Sequence, residues 1–123
     1  MNKLTKAEEE IMNVLWDIEK GFVKDIIDKF PEPKPAYNTV STIIRILCTK
    51  GFVDHNDYGR SHQYYPLIQK DDYKSKYLDN VVSRFFDNSY KNMVSFFSES
   101  EDLSLSELGE LKKIIEQQME KKK

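Results

Sequence analysis

Asn38, Thr39, Ser41, Thr42 and Arg45 lie close together and are the side chains with the most recognition chemistry to offer. An asparagine amide can pair bidentately with adenine, a guanidinium with guanine or a phosphate, and hydroxyls with bases or backbone. These residues alternate with Val40, Ile43, Ile44 and Leu47 at helical spacing, so one helix would carry a polar face and an apolar one. Tyr37 opens the same segment. An ordinary solvated helix face could show the same residues, and the elements around them must decide.

Further along, Arg60, Ser61 and His62 suit the sugar-phosphate backbone or a minor groove. Lys34 and Lys50 flank the polar helix and are phosphate candidates, although Lys50 also suits a helix C-terminus. His55 and His62 stand near Asp54 and Asp57, and hairpin spacing permits a metal there. Two histidines without a matched third ligand read as structural or surface groups, so no metal site is expected. The single cysteine, Cys48, excludes an internal disulfide and any multi-cysteine metal site. Beside an apolar stripe it reads as a small hydrophobe. There is no glycine-rich phosphate loop, nucleophile elbow or HExxH, so neither an enzyme nor a cofactor is expected.

The elements that must position these groups follow from local signals. Thr5 and Glu8 form a capping box, and Leu4, Ala7, Ile11, Val14, Leu15 and Ile18 recur at helical spacing, predicting a helix over 6–19 that ends by Gly21. Val23, Ile26, Ile27 and Phe30 predict a shorter helix that the proline run Pro31–Pro35 must stop. The polar helix spans 36–50, with Gly51 as its stop. Phe52–His55 and Gln63–Leu67 read as strands, with turn residues over Asn56–Ser61 between them, giving a wing at 56–62. Three helices and then a hairpin is the winged helix-turn-helix order. Trp16 and Tyr37 are expected in its core.

The remainder is helical. Asp71 and Asp72 open a helix carrying Tyr73, Tyr77, Leu78, Val81, Val82, Phe85 and Phe86, which Asn88-Ser89 interrupts. Tyr90, Met93, Val94, Phe96 and Phe97 continue it. Ser104 and Glu107 cap a last helix with Leu108, Leu111, Ile114, Ile115 and Met119. The fold class is therefore mainly α with a small β-hairpin wing. Residues 1–69 form a winged-helix DNA-binding domain and 70–123 a helical region. A segment of that length is marginal alone, yet it is rich in large apolar side chains. Pairing with a second copy would bury Tyr77, Val81, Phe85, Met93, Phe96, Phe97, Leu108, Leu111 and Ile115, so a homodimer is expected.

Bulk properties set limits without deciding the matter. The chain has 123 residues, 33% of them charged, and a net charge of −2. Residues 1–33 carry five Lys against eight Asp and Glu, whereas 34–64 carry four cations against two anions. The middle of an acidic protein is its positive part, which permits phosphate contact. No apolar run can span a bilayer and no signal peptide opens the chain, so a cytoplasmic location without membrane insertion is expected.

In order and spacing, Tyr37 through Gly51 (YNTVSTIIRILCTKG) resembles the penicillinase-repressor (BlaI/MecI) family. So do Leu4–Met12, Val14-Leu15-Trp16, Lys50–His55, Tyr64–Leu67 and Glu101–Ser104. The resemblance implies a homodimeric repressor that binds double-stranded palindromic operator DNA. In its best-known branch a membrane sensor protease triggers cleavage within the dimerisation region, in some cases relieving repression of antibiotic resistance. The matching bond here is Phe96-Phe97, without the Asn that branch carries, and no cysteine follows Cys48 to support the copper-responsive branch's motif. Two other readings of the residues stand beside the repressor. One is a winged-helix protein-interaction module, favoured by the acidic pI of 5.7. The other is a one-component regulator whose aromatic C-terminal region senses a ligand.

Overall fold

The computed structural model describes residues 3–123. The chain divides into two compact units, Met1–Tyr77 and Leu78–Lys123.

In the first unit, α1 (Lys6–Ile18) starts on the Thr5–Glu8 capping box, whose two reciprocal hydrogen bonds satisfy otherwise orphaned N–H groups. α2 spans Val23–Asp28 and α3 Tyr37–Thr49. Their apolar faces supply Ile11, Met12, Leu15, Ile26, Val40, Ile44 and Leu47 to one core, closed by Phe52, Val53, Tyr64 and Tyr73. Gly51, just past α3, takes φ +83°, the left-handed conformation in which a helix end releases the chain at no side-chain cost.

The antiparallel hairpin pairs β1 (Val53–Tyr58) with β2 (Ser61–Pro66). It is longer at its tip than the sequence suggests. Asn56, Asp57 and Tyr58 belong to β1 and Ser61 and His62 to β2, leaving only Gly59-Arg60 as the loop. Gly59 carries the positive φ (+62°) that a two-residue turn demands at its first central position. Turn-type residues can serve as strand here because the hairpin's outer end carries exposed side chains and needs no apolar alternation. At its base, Phe52 and Leu67 lie outside the two strands, but Leu67 N–H still donates to the Phe52 carbonyl at 2.8 Å.

α2 ends at Asp28, before Phe30. The Lys34 ammonium donates to the carbonyls of Ile27, Asp28 and Phe30, at 3.5, 3.2 and 2.9 Å, so a side chain supplies the stop. Tyr37, expected in the core, is 59% exposed. It is the first residue of α3, three positions before Val40, where the inward-facing stripe begins. Trp16 does pack against the core and donates its indole N–H to the Ile68 carbonyl at 2.8 Å.

Gly21 does not itself turn α1. That conformation falls to Glu19 (φ +72°), while Gly21 pairs with Tyr64 through two backbone hydrogen bonds of 2.9 and 2.8 Å, like a minimal third strand. A Cβ on Gly21 would lie 2.8 Å from Ile18 Cδ1 and 3.1 Å from Asp25 Cβ. Gly21→Val should therefore destabilise the unit by about 1–3 kcal/mol through overpacking. The check is thermal unfolding, where a midpoint like wild type's would refute it.

α4 (Lys70–Phe85) runs across the division of the chain. The division follows Tyr77, inside this helix. Tyr73 is the reason: its ring packs on Phe52 and Trp16, and its hydroxyl donates to Glu9 at 3.0 Å, so the first turns of α4 belong to the first unit. Burial, with Glu9 beside it, pushes that hydroxyl up to about 12. In the second unit, α5 (Tyr90–Ser98) starts on Ser89 and α6 (Leu105–Lys121) on the Ser104–Glu107 capping box. Val82 is deeply buried, whereas α5 and α6 have no buried residue.

Candidate nucleic-acid interface

The amphipathic pattern of α3 makes its outer face available. With Val40, Ile44 and Leu47 turned inward, Asn38, Thr42, Arg45 and Thr49 form one exposed polar stripe along the helix. Thr39 is exposed and Ser41 half-buried. Thr42 and Thr49 donate their hydroxyl hydrogens to the carbonyls one turn back, Asn38 at 2.8 Å and Arg45 at 3.1 Å. Each therefore offers an outside ligand only its lone pairs. Arg45 forms no salt bridge among the described residues, so its guanidinium remains an available fork of donors.

A cleft of about 590 Å³ opens between the start of α3, the N-terminal end of α2 and the hairpin. Tyr37, Ser41, Arg60, Ser61 and His62 all line it, so five residues singled out from sequence meet in one concavity. Tyr58 and Lys24 line it too and were not singled out. The signal for Tyr58 was its place in the turn, read as loop rather than as strand; Lys24 carried no signal beyond its charge. Tyr58 is held by an edge-on contact with Phe22, ring centres 5.9 Å apart.

The two lysines have other engagements. Lys34 caps α2, as described. Lys50 reaches Glu8 Oε1 at 2.8 Å, the same oxygen that accepts the Thr5 N–H. Burial pushes the Glu8 carboxyl up, but the Lys50 ammonium and the bonds from Thr5 outweigh it and the net direction is down. The Cys48 thiol is half-buried and raised, by burial first and Asp54 second, which suits a packing group and not a nucleophile.

Side chains of the wing also meet one another. His62 Nδ1 lies 2.6 Å and His55 Nδ1 2.7 Å from Asp57 Oδ1. The His62 hydrogen bond is the largest cause holding the Asp57 carboxyl below its usual range. Burial raises the Tyr64 hydroxyl next to them.

The second unit carries apolar surface of another kind. Phe85 and Phe96 are 69% and 70% exposed and share a patch with Phe86. Val94, Phe97, Leu108, Leu111 and Ile115 line a separate groove of about 440 Å³ between α5 and α6. Val81 and Met93 are half-buried, and Tyr77 lies in the first unit against Tyr73. The Phe96-Phe97 bond lies inside α5.

Residues 4–117 match the family described as Penicillinase repressor. The chain belongs to that family. It is 32% identical to the methicillin resistance regulatory protein MecI of Staphylococcus aureus (strain N315), over 92% of this chain and 93% of that protein. It is also similar to the penicillinase repressor of Bacillus licheniformis, 29% identical over 98% of this chain and 95% of the relative. Members of the penicillinase repressor family are transcriptional regulators, not enzymes, and the winged-helix order with C-terminal helices accords with that. No helix among the described residues is long and apolar enough to cross a membrane.

Proposed function

We propose that this repressor binds a palindromic operator as a homodimer, with α3 in the major groove and the wing on the neighbouring backbone. The observation that carries this reading is the exposed stripe Asn38–Thr42–Arg45–Thr49, continuous with a cleft that gathers Tyr37, Ser41, Arg60, Ser61 and His62. A recognition helix needs such a face: polar, projecting and backed by a rigid core. Thr39 extends it. Lys34 and Lys50 can add phosphate contacts only by sharing donors that already serve Ile27, Asp28, Phe30 and Glu8.

Dimerisation rests on the apolar faces of the second unit. Phe85, Phe96 and Ile115 are too exposed, and Phe97, Leu108 and Leu111 too concentrated around one groove, to be ordinary surface. A second copy covers such a face symmetrically. Replacing Leu111 and Ile115 together by Glu should shift the protein to monomer in analytical ultracentrifugation and weaken operator binding. An unchanged dimer would remove this face from the interface.

Relief by a sensor protease would act at the Phe96-Phe97 bond. A protease needs an extended substrate, so cutting Phe96-Phe97 requires α5 to unwind first. Induced cells that hold only full-length repressor would sink it. The apolar groove between α5 and α6 also supports a ligand-sensing regulator, which a thermal shift by small apolar metabolites would reveal.

The central test is binding to the DNA upstream of the protein's own coding sequence, against unrelated duplex, at several salt concentrations. Two protomers per site are expected, with half-sites about 34 Å apart and a log–log salt slope of roughly −0.9 per phosphate contacted. Equal affinity for unrelated DNA would overturn the operator reading and favour a protein-interaction module.

A further inference from the structure

We propose that the wing carries a binding site for a divalent transition metal of the zinc class, formed by His55, Asp57 and His62. Sequence spacing alone left two histidines without a matched third ligand. The hairpin register supplies it. His55 and Asp57 are two residues apart on β1 and so share a face, and His62 on β2 stands directly opposite Asp57. Their ligand atoms all lie within 4.8 Å of one another.

Two imidazoles and a carboxylate are a donor set that zinc takes in three-ligand sites, with the fourth position left open. Around a tetrahedral ion with bonds of about 2.0–2.1 Å, donors sit roughly 3.3 Å apart. The two Nδ1 atoms now lie 2.6 and 2.7 Å from Asp57 Oδ1. Side-chain rotation that widens these two gaps by well under 1 Å would bring both to that spacing.

An independent observation points the same way. His55 Nδ1 is closed off from solvent and, although 2.7 Å from Asp57 Oδ1, makes no hydrogen bond of good geometry. A buried nitrogen in that state is costly, and coordination would satisfy it. The cluster is also held in place from beneath. The Tyr64 ring packs edge-on against both imidazoles, at 5.7 and 6.2 Å, and Tyr64 is itself buried and bonded through its backbone to Gly21. Packing around ligands that fixes ring orientation is what tunes a metal site.

The site adjoins the cleft between α3 and the wing, whose wall includes His62 and Tyr64. Occupancy would therefore set the wing's shape where operator contacts are proposed, a consequence that rests on the repressor reading. Zinc binding itself needs no DNA, so failure of one reading leaves the other standing.

The test uses the full-length protein and zinc in competition with a chromophoric chelator. One zinc per chain is expected, with affinity falling by about 100-fold or more in His62→Gln and in Asp57→Asn, above the 10- to 100-fold typical of outer-shell changes. Asp54→Asn, on the opposite face of the hairpin, should bind like wild type. Circular dichroism verifies folding; both substituted side chains are exposed, and either variant alone suffices. Wild type that takes up no zinc at micromolar concentration, or variants that retain it, would overturn the proposal and leave a hydrogen-bonded His62–Asp57 pair with His55 beside it.

Discussion

Arg45→Ala is expected to weaken operator binding by about 30-fold or more while leaving folding and dimerisation as they are. A guanidinium paired bidentately with guanine contributes about 1–3 kcal/mol of discrimination, and a symmetric dimer loses two such contacts. At about 1.4 kcal/mol per tenfold, the lower bound alone gives that figure. The structure sharpens the expectation because Arg45 is exposed and forms no salt bridge among the described residues, so its removal disturbs nothing inside the protein. Thr42→Ala should cost less, since the Thr42 hydroxyl hydrogen is committed to the Asn38 carbonyl. Electrophoretic mobility shift or fluorescence anisotropy on the upstream DNA, with unfolding midpoints measured alongside, separates the two effects. Wild-type affinity in both variants would show that α3 does not read bases.

Lys50→Met should have the largest effect on stability, about 3 kcal/mol. Glu8 is 4% exposed, and removing its cation leaves a buried carboxylate without its counter-charge. Breaking such pairs costs about 3–5 kcal/mol; the lower end applies because the Lys50 side chain keeps a quarter of its exposure. In a domain of this size the midpoint would fall on the order of 15 °C. Adding Glu8→Gln should recover part of the loss, since the amide oxygen can still accept the Thr5 N–H. Differential scanning calorimetry provides the measurement. If the variant melts like wild type but binds DNA with a shallower salt slope, Lys50 works as a phosphate contact instead.

The same pair predicts a pH dependence. The folded Glu8 carboxyl lies below its ordinary value of 4.5, so the unfolded chain takes up its proton first as pH falls. The contribution is full above that value and is lost as pH drops through the folded one. Lys50→Met should flatten this acid limb.

Much of the architecture was legible because its signals are local. The Thr5–Glu8 and Ser104–Glu107 boxes, the stripe Val40–Ile44–Leu47 and Gly51 each involve neighbours in the chain, and each stands where the spacing predicts. The hairpin's existence was legible too, but not its reach. Polar residues at Asn56–Ser61 have turn propensity in any sequence, and only pairing with β2 makes most of them strand.

What the sequence determined by itself was the order of elements, the polar face of α3 and the family resemblance, all properties of periodicity and motif. Tertiary structure decided which charges are engaged and which groups meet. Lys50 and Glu8 are 42 positions apart, and Tyr73 and Glu9 are 64 apart. No periodicity encodes such contacts, because they arise only when separate helices pack on a common core. Cross-strand register did the same for His55, Asp57 and His62: a slip of one residue would have turned them to opposite faces and dissolved the cluster.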